Sequence, residues 1–130
     1  MSTIFSKIVA GDIPAYKVAE DDNFLAFLDI NPLAKGHTLV IPKKEIDYIF
    51  DIEDDEYLEF FLFAKKVARS IKKCIQCEKV GIAVIGLEVA HAHIHLVPIN
   101  SIYDIDFSKP KLKLSEGEFK MIAERIASKV

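Results

Sequence analysis

In the heptapeptide His91-Ala92-His93-Ile94-His95-Leu96-Val97, imidazole and apolar side chains alternate from His91 through Leu96. Side chains alternate faces along a β-strand, so a strand here sets His91, His93 and His95 on one face and Ala92, Ile94 and Leu96 on the other. The apolar face calls for a core. Neighbouring rings on the imidazole face stand about 6–7 Å apart. Burying three polar rings there demands three sets of hydrogen-bond partners, which a sheet serving only as scaffold has no reason to supply. A phosphate or a metal ion can touch two or three such rings at once. Imidazole also titrates in the physiological range, so the row can supply a neutral nucleophile, a proton donor and a cation.

The rest of the composition narrows what such a strand serves. A chain of 130 residues suits a single domain spanning 1–130. With 51% hydrophobic and 28% charged residues it reads as an ordinary globular protein. Its formal net charge of -3 provides no basic field for capturing nucleic acid, so a nucleotide is expected as a small molecule and no nucleic-acid partner is expected. Met1 to Lys7 has no long apolar segment, and no apolar stretch reaches spanning length, so neither a leader nor a membrane partner is expected and the location expected is cytoplasmic. Cys74 and Cys77 form a C-x-x-C pair late in a helix-like run. A redox pair belongs at a helix start after a strand, so these two are read as reduced structural cysteines.

Residues 3 to 9 have the pattern of a short amphipathic helix carrying Ile4, Phe5 and Ile8, closed by Gly11-Asp12-Ile13-Pro14. Two strand-like runs, 16–20 and 24–28, flank a turn at Asp21-Asp22-Asn23, and a third strand is expected over 36–42, opened by His37. The spacing of Leu58, Phe61, Ala64, Ala68, Ile71 and Ile75 predicts one long helix over about 54–75, acidic at its start and basic at its end as the helix dipole favours. Residues 80–87 and 91–99 read as a hairpin, and 100–114 as an irregular loop. Ser115 and Glu118 have capping-box spacing ahead of a last helix that buries Phe119, Ile122 and Ile126. The order is α+β, with an antiparallel five-stranded sheet, a long helix and a C-terminal helix, the sheet covered on one face.

From the residues alone, two chemistries compete for the histidine face. The imidazoles can ligate a divalent metal, with Glu88 near in sequence. Alternatively one imidazole attacks a phosphate ester while the others donate hydrogen bonds to its oxygens. Three rings on a straight strand splay over about 13 Å, which opposes ligation of one metal by all three.

The heptapeptide resembles the signature of the histidine-triad (HIT) family of nucleotide hydrolases and transferases, in its Hint-like branch. The likeness extends through Ile4-Phe5-Ser6-Lys7-Ile8, Gly11-Asp12-Ile13-Pro14-Ala15, Glu20-Asp21-Asp22, the run from Leu25 to Pro32 and the run from Gly36 to Lys44, covering residues 3–98. It implies a HIT-like fold, a purine nucleotide as small-molecule partner and a homodimer. By resemblance His93 is the nucleophile, His95 and His37 hold the phosphate oxygens, and His91 orients the nucleophile. Asp29 matches the carboxylate that takes the ribose hydroxyls, and Ile4, Phe5, Ile8, Phe27 and Ile30 match the apolar wall around the base. The activity implied is hydrolysis of nucleoside 5′-monophosphate derivatives, phosphoramidates or mixed anhydrides, through a nucleotidyl-histidine. A non-catalytic nucleotide-binding protein and a dinucleoside polyphosphate hydrolase are the alternatives.

The chain departs from the family pattern just before the triad. Val84-Ile85-Gly86-Leu87-Glu88-Val89-Ala90 replaces a longer glycine-rich loop, with Leu87 where Gln is expected and Glu88 where a Ser or Thr approaches the leaving group. Zinc-binding members carry cysteines where this chain has Thr3 and Ser6, so no metal and no cofactor are expected.

Overall fold

The computed structural model describes residues 2–130. Five strands form one antiparallel sheet in the order β1-β2-β3-β5-β4: β1 (Lys17–Glu20), β2 (Phe24–Leu28), β3 (Thr38–Pro42), β4 (Lys79–Ala83) and β5 (Ile94–Ile99). Helix α1 (Ile4–Ala10) precedes them, α2 (Asp54–Cys74) links β3 to β4, and α3 (Glu116–Ala127) ends the chain. The expected α+β architecture is the one observed. Asp21 makes the β1–β2 turn by accepting from the backbone N–H groups of Asn23 and Phe24 at 2.8 and 2.7 Å.

Both faces of the sheet centre are covered, and the strand period sorts the side chains. Phe24, Ala26, Leu28, Val40, Ile94 and Leu96 pack in one core with α2 and α3. Leu25, Phe27, Leu39 and Ile41 form a second, smaller core with Phe5 and Ile8 of α1. Coverage of a single face was the expectation. It is corrected by α1, whose seven residues are enough to cap the opposite face beside the histidines. Each large apolar side chain so buried contributes roughly 1.5–3 kcal/mol.

The long helix has the expected bounds to within a residue but a different inward stripe. Phe60, Phe63, Ala64, Val67, Ser70 and Ile71 are buried, whereas Leu58 is 61% exposed. The helix carries apolar residues around more than half of its circumference, so spacing alone does not select the face that meets the sheet. The hairpin before α3 is also looser than expected. Strand pairing ends at Ala83 and resumes at Ile94, and a ten-residue connection carries His91 and His93 outside the ladder. The 100–114 segment, expected to be irregular, contains a short 3-10 turn at Ile102–Ile105.

Candidate functional site

Pairing of β3 with β5 builds the site. Leu39 lies opposite His95 in the register, and His37, two residues before Leu39, falls on the same face one diagonal step away. Gly36, at φ +92°, turns the chain into that position, and a Cβ there would come within 2.9 Å of Ile75 Cγ1. Ahead of β5, Ala92 N–H anchors the segment by donating to Ile46 O at 2.7 Å. Ala92 thus faces the α2 core, and the flanking His91 and His93 rings meet Phe5 of α1 at centroid distances of 5.9 and 5.0 Å.

Hydrogen bonds fix which nitrogen of each ring carries the proton. The Leu33 N–H donates to His37 Nδ1 at 3.0 Å, so the neutral ring is protonated at Nε2. That Nε2–H faces His95 Nδ1 at 3.0 Å, which leaves the His95 proton on Nε2. His93 Nδ1 lies 2.7 Å from the His91 carbonyl, an acceptor only, so Nδ1 carries the hydrogen and Nε2 keeps its lone pair. His91 Nε2–H donates to Pro42 O at 2.8 Å, and its Nδ1 accepts from the Thr3 hydroxyl at 3.1 Å. All four side chains are less than a tenth exposed. Burial, reinforced by His95, pulls the His37 imidazole down to about 3. Burial with His93 nearby pulls His95 to about 4, and His91 is also lowered by burial, so these three rings are neutral donors at neutral pH. Among the described residues, no protein group bonds Nε2 of His93 or of His95. A lone pair and an N–H therefore face outward from rings whose centroids are 5.0 Å apart.

The other expected site residues divide by exposure. Asp29, at the end of β2, accepts from Asn31 N–H through Oδ1 at 2.9 Å, and its Oδ2 is 3.6 Å from His37 Nε2, too far for a hydrogen bond. Burial raises its carboxyl above the ordinary range. Phe5, Ile8 and Phe27 are core residues as much as wall residues, while Ile4 and Ile30 are largely exposed. Glu88 is exposed in the connection before the triad. The same connection borders a groove of about 380 Å³, lined by Tyr48, Phe50, Tyr57, Phe61, Ile85 and His93. A wider depression of about 600 Å³, between Lys43, Lys44 and the acidic start of α2, contains no histidine.

The donor atoms of Asp29, His37 and His95 lie within 4.8 Å of one another. A cation there would have to break the bond between His37 and His95, so the triad fits a hydrogen-bonding role better than a metal centre. His91 lies on the Phe5 side with His93, as the alternation implies, but neither of its ring nitrogens is free. Its ring is tied inward to Pro42 and Thr3, and it reaches His93 through its backbone carbonyl.

Three residues at the site lay outside the expected set. The Phe107 ring packs edge-on against His95 at 4.6 Å and near His37 at 6.1 Å, and Lys111 Nζ is held by the Phe107 and Lys109 carbonyls. Leu112 N–H donates to Pro32 O at 2.8 Å, which straps this segment across the turn that carries Asp29 and His37. Thr3 is the third. The sequence marks it as the start of α1 and as a place where zinc-binding members carry cysteine, and neither points to His91.

The HIT domain family model matches residues 10–102. The chain is 37% identical to adenosine 5′-monophosphoramidase hnt1 of Schizosaccharomyces pombe over the whole of this chain and 99% of that one. A Hit-like protein of Bartonella henselae, described as involved in cell-cycle regulation and crystallised with an unknown ligand, superposes with a TM-score of 0.86 at 28% identity, covering 99% of this chain and 96% of that one. A zinc-bound histidine-triad protein of Mycobacterium smegmatis has a TM-score of 0.81 at 30% identity, with 98% and 95% covered. Where zinc-binding members carry two cysteines, Thr3 and Ser6 offer hydroxyls already engaged with His91 and with each other's backbone, and this donor set does not suit zinc. The buried histidine row, its sheet and these likenesses together place the chain in the histidine-triad family, among relatives that include hydrolases.

Proposed function

We propose that the protein hydrolyses nucleoside 5′-monophosphate derivatives, phosphoramidates or mixed anhydrides, through a nucleotidyl-His93 intermediate. The supporting observation is the His93 tautomer: with Nδ1–H held by the His91 carbonyl, Nε2 presents a lone pair beside the outward N–H of His95. His93 Nε2 attacks the α-phosphorus. The phosphorus–nitrogen bond to His93 forms as the bond to the leaving group breaks, and the departing electron pair takes up a proton. The positive ring that results points its Nδ1–H at a carbonyl, which steadies it. Water then attacks phosphorus, the bond to His93 breaks with its electrons returning to Nε2, and the water's proton leaves with solvent, releasing the nucleoside monophosphate. His95 donates to a phosphoryl oxygen, and His37 polarises that donor through Nδ1. Asp29 accepts from the ribose hydroxyls through Oδ2, and Ile4 and Ile30, backed by Phe5, Ile8 and Phe27, take a purine base.

A homodimer and a cytoplasmic setting belong to the same reading. Edge strand β4 exposes Ile82, and the outer stripe of α2 exposes Leu58 and Leu62, an apolar surface suited to a second copy. Cys74 and Cys77 are free thiols, in keeping with a reducing compartment. The test is incubation with adenosine and guanosine phosphoramidates under chelation. The expected result is turnover unaffected by the chelator. Firm binding of nucleoside monophosphate without turnover would instead support a binding protein whose altered 84–90 connection removed catalysis.

A further inference from the structure

We infer that Thr3 is a positioning residue for the nucleophile, acting through His91, so that the cap of the N-terminal helix and the chemistry at His93 are one device. The inference rests on the proposed role of His93 and adds a residue to it. Thr3 is the N-cap of α1, accepting from Ser6 N–H at 3.1 Å, and the same hydroxyl donates its own hydrogen to His91 Nδ1 at 3.1 Å. That donation requires the His91 proton on Nε2, where it meets Pro42 O at 2.8 Å. A ring gripped at both nitrogens fixes residue 91, and the carbonyl of residue 91 is what holds His93 Nδ1–H at 2.7 Å. Two further contacts join the cap to the site. Thr3 N–H donates to Glu45 Oε1 at 3.1 Å, and Phe5, in the first turn of α1, lies edge-on to both His91 and His93.

A purely structural cap predicts otherwise. For helix stability alone, any good cap at position 3 suffices. For positioning, the hydroxyl hydrogen is needed: without it His91 Nδ1 is left unsatisfied in a buried site, the ring is held at Nε2 alone by Pro42 O, and the carbonyl loses its aim.

Thr3→Val removes the hydroxyl at nearly constant shape, Thr3→Ser keeps it, and Ser6→Ala weakens the capping box while leaving the Thr3–His91 bond. On a nucleoside phosphoramidate, Thr3→Val is expected to lower kcat about tenfold with KM within about twofold, since misaligning a nucleophile falls on the chemical step. Thr3→Ser should restore kcat. Ser6→Ala should lower the melting temperature with kcat retained. An unchanged kcat in Thr3→Val, or an equal loss in Ser6→Ala at matched melting temperature, would overturn the inference. A second reading needs no turnover: long-range nitrogen–proton spectra of the imidazoles report tautomers directly. Wild type should show His91 protonated at Nε2 and His93 at Nδ1, and Thr3→Val should keep both tautomers but shift the His93 Nδ1–H resonance as its bond to the His91 carbonyl weakens. Wild-type spectra with this pattern in an enzyme that turns over nothing would sink the proposed hydrolysis and keep the positioning; a His93 Nδ1–H resonance unchanged in Thr3→Val would sink the positioning and leave the hydrolysis standing.

Discussion

The phosphate side of the site and the connection leading into it are built on opposite plans. Around His37, His91, His93 and His95 each ring has at least one nitrogen tied to a named partner, the rings are buried, and each tautomer is determined by its neighbours. Five to seven residues before His93, Gly86 sits at φ +73° with open space around it, Leu87 is 88% exposed and Glu88 faces solvent. The first region is pre-organised, so under the proposed function a phosphoryl group is taken up without rearrangement and change there is poorly tolerated. The second has few contacts to lose. Differences within such a family should therefore collect in the connection, where a substitution alters which leaving group is accepted without disturbing the rings.

The contrast breaks most severely at His93. His93→Ala is expected to lower hydrolysis by about a thousandfold or more while nucleoside monophosphate affinity stays within about tenfold, because a nucleophile contributes mainly to the chemical step. Single-turnover rates beside calorimetric binding check this. Next comes Asp29→Asn. In its proposed role the carboxylate accepts from two vicinal hydroxyls, and its neutralisation should cost ribonucleotides about 1.5–3 kcal/mol and 2′- or 3′-deoxy analogues less. Equal losses for both ligand types would reduce Asp29 to the cap on Asn31 N–H that it already provides.

Stability against pH sharpens the same comparison. His37 and His95 are held at about 3 and 4 in the folded chain against an ordinary value near 6.5, so from about pH 6.5 downward the unfolded chain takes up protons that the folded chain refuses. Stability should fall with acid from about pH 6.5, the slope easing as folded His95 protonates near 4 and levelling off as His37 protonates near 3. Replacing His95 by Gln should flatten that slope, whereas Glu88→Ser, in the open connection, should leave it unchanged. The smallest effect is on substrate preference: Glu88→Ser should raise kcat/KM for dinucleoside polyphosphates relative to lysine-type phosphoramidates by about severalfold, because an exposed carboxylate repels an anionic leaving group only weakly. An unchanged ratio would show Glu88 pointing away from the leaving group.

The sequence made the histidine face legible because strand alternation is geometric. His93 and His95 share one face, Ala92, Ile94 and Leu96 the other, and His37 reaches the same face by its place two residues before Leu39. The helices and strands were legible as elements, and Ser115 caps α3 with Glu118 as the spacing implied. Orientation was less so. The inward stripe of α2 was not readable because Leu58 and Leu62 are as apolar as Phe60 and Phe63, and only packing against the sheet distinguishes them. The role of the His91 carbonyl lies in the backbone and carries no side-chain signal. Phe107 and Lys111 sit in a segment without periodicity, and their place over the site rests on tertiary contacts such as Leu112 N–H to Pro32 O and the packing of Phe107 on His95.

The account's central claim is that His93 Nε2 becomes covalently bonded to the α-phosphorus. Alkaline quench of the enzyme during turnover of a nucleoside phosphoramidate, followed by digestion and mass spectrometry, reads it directly, since a phosphorus–imidazole bond survives base. The account predicts a nucleoside monophosphate adduct on the peptide containing His93, formed with the chelator present and missing from His93→Ala. Steady turnover with no adduct on that histidine at any quench time, in an enzyme that chelation inactivates, would contradict it.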